Sequence, residues 1–401
     1  MAGKLSVKRL DVSGRKVFCR VDFNVPLKGG VIGDDRRIQA SLPTIKLMMV
    51  RRGKIILASH LGRPKGKPVP EMSLKPVADR LSSLLGVEVR FAPDCVGPEV
   101  EAMAASLPPG RILLLENLRY HPEEEKNDSA FSDRLASLAE LYVNDAFGTA
   151  HRAHASTVGV PKRLPVAAAG LLMEAELENL SPLVTSPAKP YVAVLGGAKV
   201  SDKIDLIHNL IGRVDTILVG GAMSYTFLRS RGIEVGDSLV EADRIEAAGG
   251  LLKEAETHGV KLLLPVDHRI KGPDSTGGAI TTTDGVSIPA GSRGLDIGPR
   301  SMKTFAAALT GAKTVLWNGP LGMFEEPPFD EGTREIAKAI AATDAHTVVG
   351  GGDSASAVRR FGLEGKFTHV STGGGATLEY LSGLKLPGVE ALTDEQEGGP
   401  A

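Results

Sequence analysis

The chain is poor in cysteine and carries almost no net charge. It has two cysteines in 401 residues, Cys19 and Cys95, which excludes a disulfide framework and favours a reducing compartment. The 47 Lys and Arg nearly balance the 48 Asp and Glu, for a net charge of -1. That balance argues against a general nucleic-acid or membrane-surface binder. We therefore expect a cytoplasmic protein with neither nucleic acid nor membrane among its partners.

Long apolar runs are also missing. No run approaches the roughly 20 residues that cross a bilayer, and the charged Met1–Lys16 stretch is unlike a signal peptide. The composition, 42% hydrophobic and 24% charged, is that of an ordinary globular protein. At about 150 residues per domain, the length suggests two or three domains.

Short apolar runs alternate with stretches that have apolar residues at helical spacing. The runs predict strands at Lys16–Val21, Lys54–Ala58, Arg111–Leu115, Leu141–Val143, Tyr191–Leu195, Thr216–Val219, Lys261–Pro265, Thr314–Trp317, Thr347–Val349 and His369–Ser371. The stretches predict helices at Leu74–Leu85, Ser129–Glu140, Ser201–Ile211, Arg244–His258, Arg300–Thr310 and Thr333–Ala342. Apolar runs without alternating polar residues are typical of strands that are covered on both faces. Because these runs alternate with helical stretches in both halves, we predict an α/β protein with two doubly wound, Rossmann-like parallel-sheet domains.

The boundary between the two halves is expected at residues 171–188. Leu171–Leu180 has a helical pattern, and Ser181-Pro182 to Ser186-Pro187 predicts a proline-punctuated exit from that helix. This places one domain at residues 1–170, a second at 189–386, and a Pro- and Gly-rich tail at 387–401. The alternative is a single continuous sheet.

Basic residues follow the predicted strands of the first half. If the strand ends are neighbours, Arg37, Arg63, Arg119 and Arg152 converge on one cleft with His60 or His154. Guanidinium groups suit phosphate and carboxylate oxygens, so the cluster predicts a small, doubly anionic ligand. Taken singly, each arginine could instead be a solvated surface residue. A metal at His151 and His154 lacks a third ligand with matching spacing.

Glycine turns follow the predicted strands of the second half. Gly196–Ile204 is such a turn leading into a helix, with Ser201 as a plausible N-cap and Lys199 and Lys203 beside the positive end of that helix. This pattern favours a polyphosphate ligand. The alternative is a capped helix with two solvated lysines.

Two further glycine clusters, Gly350–Ser354 and Ser371–Ala376, each open a predicted helix. Asp353 at the first of them could hold Mg²⁺ or could simply cap its helix. The chain has no P-loop pattern. Gly350–Ala355 fits the loose dinucleotide pattern, but no acidic residue follows at the next strand end to bind a ribose.

Taken in order along the chain, eight motifs resemble phosphoglycerate kinase. They are Arg20–Pro26, Ser59–Pro64, Glu116–Tyr120, Ala146–His154, Gly196–Lys203, Val315–Glu325, Gly350–Ser354 and Ser371–Ala376. The resemblance implies two similar domains joined by a hinge, with the tail folded back on the N-terminal domain. It also implies a monomer.

The resemblance further implies where the substrates bind. Phosphoglycerate or 1,3-bisphosphoglycerate would bind the N-terminal domain at Asp22, Phe23, Asn24, Arg37, His60, Leu61, Gly62, Arg63, Arg119 and Arg152. ADP or ATP would bind the C-terminal domain at Lys203, Gly294, Glu325, Gly351, Gly352, Asp353 and Ser354, with Asp353 engaging Mg²⁺. Arg37, Lys199 and Lys203 would be catalytic.

The implied activity is reversible phosphoryl transfer from 1,3-bisphosphoglycerate to ADP, giving 3-phosphoglycerate and ATP. Two other hypotheses are a catalytically silent nucleotide-binding scaffold and a nicotinamide-dependent dehydrogenase. The four charged residues Lys199, Lys203, Arg37 and Asp353 argue against the first, and the missing ribose acid argues against the second.

Overall fold

The fold was examined in a computed structural model, which describes residues 3–273 and 278–395. Within these ranges, no helix is long and apolar enough to cross a membrane. The strands are β1 (Lys16–Val21), β2 (Leu27–Lys28), β3 (Val31–Ile32), β4 (Lys54–Ala58), β5 (Val89–Phe91), β6 (Ile112–Leu114), β7 (Leu141–Asp145), β8 (Ala167–Ala169), β9 (Tyr191–Leu195), β10 (Thr216–Val219), β11 (Lys261–Leu263), β12 (His268–Lys271), β13 (Ile280–Thr282), β14 (Arg293–Ile297), β15 (Thr314–Asn318), β16 (His346–Gly350) and β17 (His369–Val370).

The helices fill the connections between these strands. They are α1 (Arg36–Val50), α2 (Lys75–Leu85), α3 (Pro98–Ala105), α4 (Pro122–Glu125), α5 (Ser129–Ala136), α6 (Leu171–Thr185), α7 (Ile204–Ile211), α8 (Met223–Ser230), α9 (Ile245–Thr257), α10 (Pro299–Leu309), α11 (Glu331–Ala341), α12 (Gly352–Arg360), α13 (Gly375–Leu381) and α14 (Pro387–Glu390).

The chain divides into two compact units. Unit 1 comprises Met1–Leu177 and Lys385–Ala401, and unit 2 comprises Glu178–Leu384. The first boundary lies inside α6, which continues from one unit into the other.

Unit 1 is built on a six-stranded parallel sheet in the order β5-β6-β4-β1-β7-β8. Its central strands are buried almost throughout, because helices and loops cover both faces. The core joins strand residues such as Val17 and Leu57 to helix residues such as Ile45 and Leu81. In α2 these apolar residues recur at helical spacing, with Val77, Ala78 and Leu81 buried and the charged residues outside.

The C-terminal segment of unit 1 packs on the same unit. The Leu5 N–H donates to the Thr393 carbonyl at 2.9 Å, and the Thr393 N–H donates to the Ala167 carbonyl at 2.9 Å. Leu386 and Leu392 are buried. Residues 396–401 of the predicted tail lie outside the described ranges.

Unit 2 repeats the architecture with a parallel sheet in the order β11-β10-β9-β15-β16-β17. Its core includes Val194, Phe305 and Trp317. The fold-class prediction of two doubly wound parallel sheets is confirmed. Two smaller antiparallel pieces went unpredicted, the β2–β3 hairpin and the β13-β12-β14 sheet. Strands β2, β3 and β13 have two or three residues and are largely exposed, and β12 and β14 contain charged residues that interrupt any apolar run.

Three local predictions were wrong. Helix α6 passes through Pro182 and ends at Thr185, instead of ending near Leu180. Helix α5 ends at Ala136, four residues before the predicted end, because Glu140 already leads into β7. Ser201 does not cap α7, since that helix begins at Ile204 after Lys203.

Candidate active site

The four central strands of unit 1 end at one edge of the sheet. Since β6, β4, β1 and β7 are parallel neighbours, the segments after them come together there. These segments are Glu116–Tyr120, Ser59–Arg63, Asp22–Asn24 and Ala146–His154. Arg37 is added by the first turn of α1. The convergence predicted for this half of the chain is therefore observed for its strand ends.

Hydrogen bonds join the segment after β1 to the first turn of α1 and to the segment after β4. The Arg37 Nη1 donates to the Asp22 carboxylate at 2.6 Å. The Gly62 N–H donates to Asn24 Oδ1 at 2.9 Å. The side chains of Phe23 and Leu61 are buried in the core, so these two residues can offer a ligand their backbone only.

His60 is the centre of the positive cluster at this edge. It is 3% exposed, and its Nδ1 lies 3.2 Å from Nη2 of Arg20. Burial, followed by the charges of Arg20, Arg119, Arg152 and Arg37, lowers the pKa of His60 well below its usual value. The imidazole is therefore neutral at physiological pH, among four guanidinium groups.

Arg119 is held in place and largely shielded from solvent. Its Nη1 donates to the Gly62 carbonyl at 2.8 Å, and its Nε lies 3.2 Å from the half-exposed carboxylate of Glu125. Arg152 lies beside His151, with its Nε donating to the histidine Nε2 at 3.2 Å. Both guanidinium groups keep N–H donors for a further anionic partner.

Arg63 differs from the other arginines. It is exposed, and the described hydrogen bonds and ion pairs do not tie it to the cluster. The structure thus brings Arg37, Arg119 and Arg152 together with His60, and leaves Arg63 at the periphery.

Sequence reasoning missed two charged residues of this edge. Arg20 is 1% exposed at the end of β1, Glu124 is fully buried, and both take part in hydrogen bonds around His60 and Ser156. The sequence signal that could have found them is a charged residue inside or beside an apolar run. A charged side chain is stable in a buried strand only when it is paired with an opposite charge or hydrogen-bonded. His154, left open as an alternative to His60, belongs to the cluster as well, since Arg20, Arg119 and Arg152 contribute to its low pKa.

The corresponding edge of unit 2 is made of closely packed glycine turns. A Cβ on Gly196 would lie 2.0 Å from the Pro320 carbonyl oxygen, and one on Gly319 would lie 2.2 Å from the Gly196 carbonyl oxygen. Both distances are far below van der Waals contact, so only glycine fits at these positions. The turns after β9 and β15 thus form one backbone surface, of the kind that approaches anionic oxygens closely.

Lys203 is the buried cation of this edge. Burial lowers its pKa to about 8, against the charges of Asp202 and Asp353, which raise it. Lys199 is exposed four residues earlier, before α7 begins. In place of the predicted cap, the Ser201 N–H and Oγ both donate to the Glu241 carboxylate, at 3.1 and 2.6 Å.

The glycine turn after β16 opens α12 as predicted. Gly351 precedes this helix with φ +91°, Gly352 begins it, and Asp353 is exposed in its first turn. The N-cap position is Gly351, so Asp353 does not occupy it. Ser354 is buried, and its Oγ accepts the Gly319 N–H at 2.6 Å. Ser354 therefore joins two turns of the site by its side chain.

A buried amide donor beneath this turn has no partner among the described residues. It is Nδ2 of Asn318, a residue 1% exposed. This nitrogen would lie 3.1 Å from a Cβ at Gly350 and 3.3 Å from one at Gly351. A buried N–H without an acceptor is costly, and an anionic ligand at the turn could supply one.

Gly294 and Glu325 lie on other elements. Gly294 is on β14, where a Cβ would come within 2.2 Å of the Tyr225 hydroxyl, and its N–H donates to Ser238 Oγ at 2.9 Å. Glu325 is exposed, and its carbonyl accepts from Arg360 at 3.0 Å. The described hydrogen bonds and ion pairs join neither residue to Lys203 or Asp353.

The donor set beside α12 fits a magnesium–nucleotide complex. Mg²⁺ is commonly held by one or two carboxylates together with substrate phosphates and water, and Asp353 is an exposed carboxylate beside backbone donors for phosphate. The described residues also contain a second group of possible metal ligands, far from Asp353 in the sequence. In this group, Asp94, Cys95 and His121 place their donor atoms within 4.8 Å of one another. There, the Asp94 carboxylate and the His121 imidazole are 2.6 Å apart and are hydrogen-bonded to each other.

Comparison with known proteins gives one consistent result. The family model described as phosphoglycerate kinase matches residues 7–384. A phosphoglycerate kinase from Solibacter usitatus is 56% identical over 393 residues, covering 97% of this chain and 99% of that protein. One from Clostridium botulinum strain Alaska E43 is 54% identical and covers 98% and 99%.

Solved structures agree with the sequence relatives. The phosphoglycerate kinase of Coxiella burnetii aligns with a TM-score of 0.91 at 39% identity, covering 98% of this chain and 100% of that one. The enzyme from Pyrococcus horikoshii OT3 aligns with a TM-score of 0.84 at 32% identity. With a family model over nearly the whole length, close relatives of equal length and the same fold, this chain belongs to the phosphoglycerate kinase family.

Proposed function

We propose that the two charged sheet edges carry the reaction of this family, one edge for each substrate. That reaction is reversible phosphoryl transfer from 1,3-bisphosphoglycerate to ADP, giving 3-phosphoglycerate and ATP. The edge of unit 1 would bind the three-carbon acid and its phosphate. The observation that supports this assignment is the cluster of Arg20, Arg37, Arg119 and Arg152 around the neutral His60.

At this edge, cationic and neutral groups would have separate tasks. The guanidinium groups of Arg37, Arg119 and Arg152 would bind phosphate and carboxylate oxygens, with Arg63 joining them from the periphery. Four further residues would line the acid: Asp22 and Asn24 through their side chains, and Phe23 and Gly62 as the residues next to them. His60 and Leu61 complete the set.

The edge of unit 2 would bind the nucleotide. Lys203, the turn at Gly351 and Gly352, and the Asn318 amide offer donors to its phosphates, and Ser354 orders the turn. Asp353 would hold Mg²⁺, which supplies charge neutralisation on the phosphate oxygens when bound. Gly294, closed on one side by Tyr225, and the exposed Glu325 would lie along the rest of the nucleotide.

No general base is needed for this chemistry. The oxygens that exchange the phosphoryl group belong to a carboxylate and a terminal phosphate, and both are anions near neutral pH. Catalysis therefore requires that donor and acceptor are held in line and that the charge on the moving group is balanced. Arg37 and Lys199 are the proposed partners of that group, assisted by Lys203.

Transfer also requires the two bound substrates to meet while water is excluded. We propose that residues 171–188, which comprise α6 and the segment after it, act with their flanks as a hinge for this step, and that the active form is a cytoplasmic monomer. The almost neutral chain, with two buried unpaired cysteines, supports the compartment. Sedimentation of the active enzyme as a dimer would contradict the monomer.

Replacement of Arg37 or Lys199 by Ala tests the catalytic assignment. Each change should lower kcat by at least about 10²-fold, because removal of one charge-stabilising donor costs roughly 3–4 kcal/mol at the transition state. The measurement is ATP formation from 1,3-bisphosphoglycerate and ADP in a coupled assay, with Tm recorded for each variant.

Neighbouring exposed residues provide matched controls. Arg36→Ala removes the guanidinium one position before Arg37, which is paired with Asp34, and Lys253→Ala removes a lysine from the surface of α9. Both should keep nearly full activity. Near-normal turnover in Arg37→Ala or Lys199→Ala would remove that residue from the mechanism, whereas an inactive wild-type chain would favour the silent scaffold.

A further inference from the structure

A chain of buried polar groups lies behind the arginine cluster of unit 1. It runs from Glu124 through Ser156 and Arg20 to His60, all of them at most 3% exposed. Ser156 Oγ lies 2.5 Å from Glu124 Oε1, and the Ser156 N–H donates to Oε2 at 2.9 Å. Arg20 Nε is 2.8 Å from Ser156 Oγ, and its Nη2 is 3.2 Å from His60 Nδ1.

The chemistry of these groups gives the chain a direction. A guanidinium can only donate hydrogen bonds, so Arg20 donates to Ser156 and to His60, as it does to the Val21 carbonyl. Ser156 Oγ accepts from Arg20, and its own hydrogen is then free to point to Glu124. His60 Nδ1 must accept from Arg20, so it carries no proton. The proton of the neutral imidazole is therefore on Nε2.

Two features of the surroundings support this state. The charges that face His60, Arg20, Arg119, Arg152 and Arg37, all disfavour the imidazolium form. His60 Nε2 takes no partner among the described residues, so its N–H remains available to a ligand.

We propose that Glu124 and Ser156 are positioning residues for the acid substrate, because they hold Arg20 in the place where it keeps His60 as the Nε2–H tautomer. In this tautomer, His60 offers the anion a hydrogen-bond donor. The other tautomer would present a lone pair to the anion and repel it. Buried Glu124 also balances the positive charge of buried Arg20. The arginines that would face the ligand therefore stay available to bind it. The inference rests on the proposed function of unit 1.

Nitrogen-15 NMR of the full-length chain, with histidines labelled, tests the tautomer directly. His60 should show a protonated Nε2 and an unprotonated Nδ1 from about pH 5.5 to 8.5, the range in which an ordinary histidine changes its charge. Addition of 3-phosphoglycerate should shift the Nε2 resonance. A proton on Nδ1, or an imidazolium within that range, would overturn the proposal.

Variants then test whether Glu124 and Ser156 act through His60. Ser156→Ala and Glu124→Gln should each raise KM for 3-phosphoglycerate at least about tenfold, the change that loss of one hydrogen bond to a charged ligand produces. KM for ATP and kcat at saturation should stay close to wild type. In both variants, the His60 spectrum should show a mixture of tautomers.

Ser132→Ala is the matched control, since it removes a buried hydroxyl whose one hydrogen bond within the described residues goes to the Asp128 carbonyl. It should leave KM and the His60 spectrum unchanged. If ligand shifts His60 in the wild type but both Ser156→Ala and Glu124→Gln keep its tautomer and the wild-type KM, the positioning role is wrong. If 3-phosphoglycerate leaves His60 unchanged in the wild type, the proposed role of this edge itself fails.

Discussion

At the scale of single residues, the molecule places ionisable groups where burial changes their protonation. Burial raises the pKa of Asp145, at the end of β7, to about 7, and lowers that of Lys203 to about 8. His154 is the clearest case at the basic edge. Burial, then Arg20, Arg119, Arg152 and His151, lowers its pKa to about 3, although the Glu124 carboxylate lies 3.9 Å from its Nδ1.

The low pKa of His154 predicts that acid destabilises unit 1. In the folded protein this histidine stays neutral down to about pH 3, whereas in the unfolded chain it binds a proton below about pH 6.5. Stability is therefore lost as the pH falls from about 6.5 towards 3. For one partly exposed group the loss stays under about 1.4 kcal/mol per pH unit. Tm measured from about pH 7.5 to 5 should fall, and less steeply in His154→Gln.

An exposed histidine separates this effect from general acid sensitivity. His258 lies at the exposed end of α9, and His258→Gln should keep the pH dependence of the wild type. An unchanged slope in His154→Gln would show that the His154 ring is not the group that takes up the proton on unfolding.

At the scale of secondary-structure elements, the turns after the strands carry both the site and the packing. Gly196→Ala should destabilise unit 2 by roughly 1–3 kcal/mol, because the new methyl group would meet two backbone carbonyls, of Pro320 and Gly319, within 2.9 Å. Neither carbonyl can move away as a flexible side chain would. Urea unfolding measures the loss, and KM for the nucleotide should rise with it.

Gly212→Ala is the comparison for that variant. Gly212 follows α7 with φ -77°, and a Cβ there has no atom within 4 Å. We expect this change to be neutral or to stabilise by less than about 1 kcal/mol. If both glycine variants unfold at the same urea concentration as the wild type, the close packing of the turns is wrong.

The C-terminal segment is an element whose contribution can be measured. Leu392 is 3% exposed within unit 1, so Leu392→Ala should lower the free energy of unfolding by roughly 2–4 kcal/mol. Leu384, 54% exposed, offers the same substitution at the surface, and Leu384→Ala should change stability by less than about 0.5 kcal/mol. Equal effects of the two substitutions would contradict the packing of the segment.

Helix α6 shows how an element can escape prediction from local signals. Pro182 normally disfavours a helix interior, yet the helix continues to Thr185. Leu180 and Leu183 on either side of the proline are buried. Burial of this apolar face stabilises the helical turn that the proline destabilises. Tertiary packing overrode the local preference at this point.

At the scale of the whole molecule, the proposed function assigns the charged groups of each unit to one of the two substrates, so transfer of the phosphoryl group would need both units. We therefore expect ligand-dependent compaction. The radius of gyration from small-angle scattering should fall when 3-phosphoglycerate and a non-hydrolysable magnesium–nucleotide are both present, and much less with either alone. Identical scattering with both ligands bound would refute the hinge proposed at α6.

The sequence by itself determined the class, the family and most strands of the two parallel sheets, but not the edge strands β5 and β8 of unit 1. Apolar runs mark buried parallel strands regardless of distant context, which is why β1, β4, β9 and β10 begin and end as predicted. Glycine turns and charges after those strands located most of the candidate site, because parallel strands necessarily end at one edge.

Only the tertiary structure decided which charges are buried and how they are paired. Arg20 lies more than a hundred residues before Glu124 and Ser156 along the chain, and the hydrogen bonds among the three exist only once β1, α4 and the loop after β7 are packed together. The same holds for Ser354 at the Gly319 turn. Protonation states follow burial and neighbours in space, and a linear pattern specifies neither.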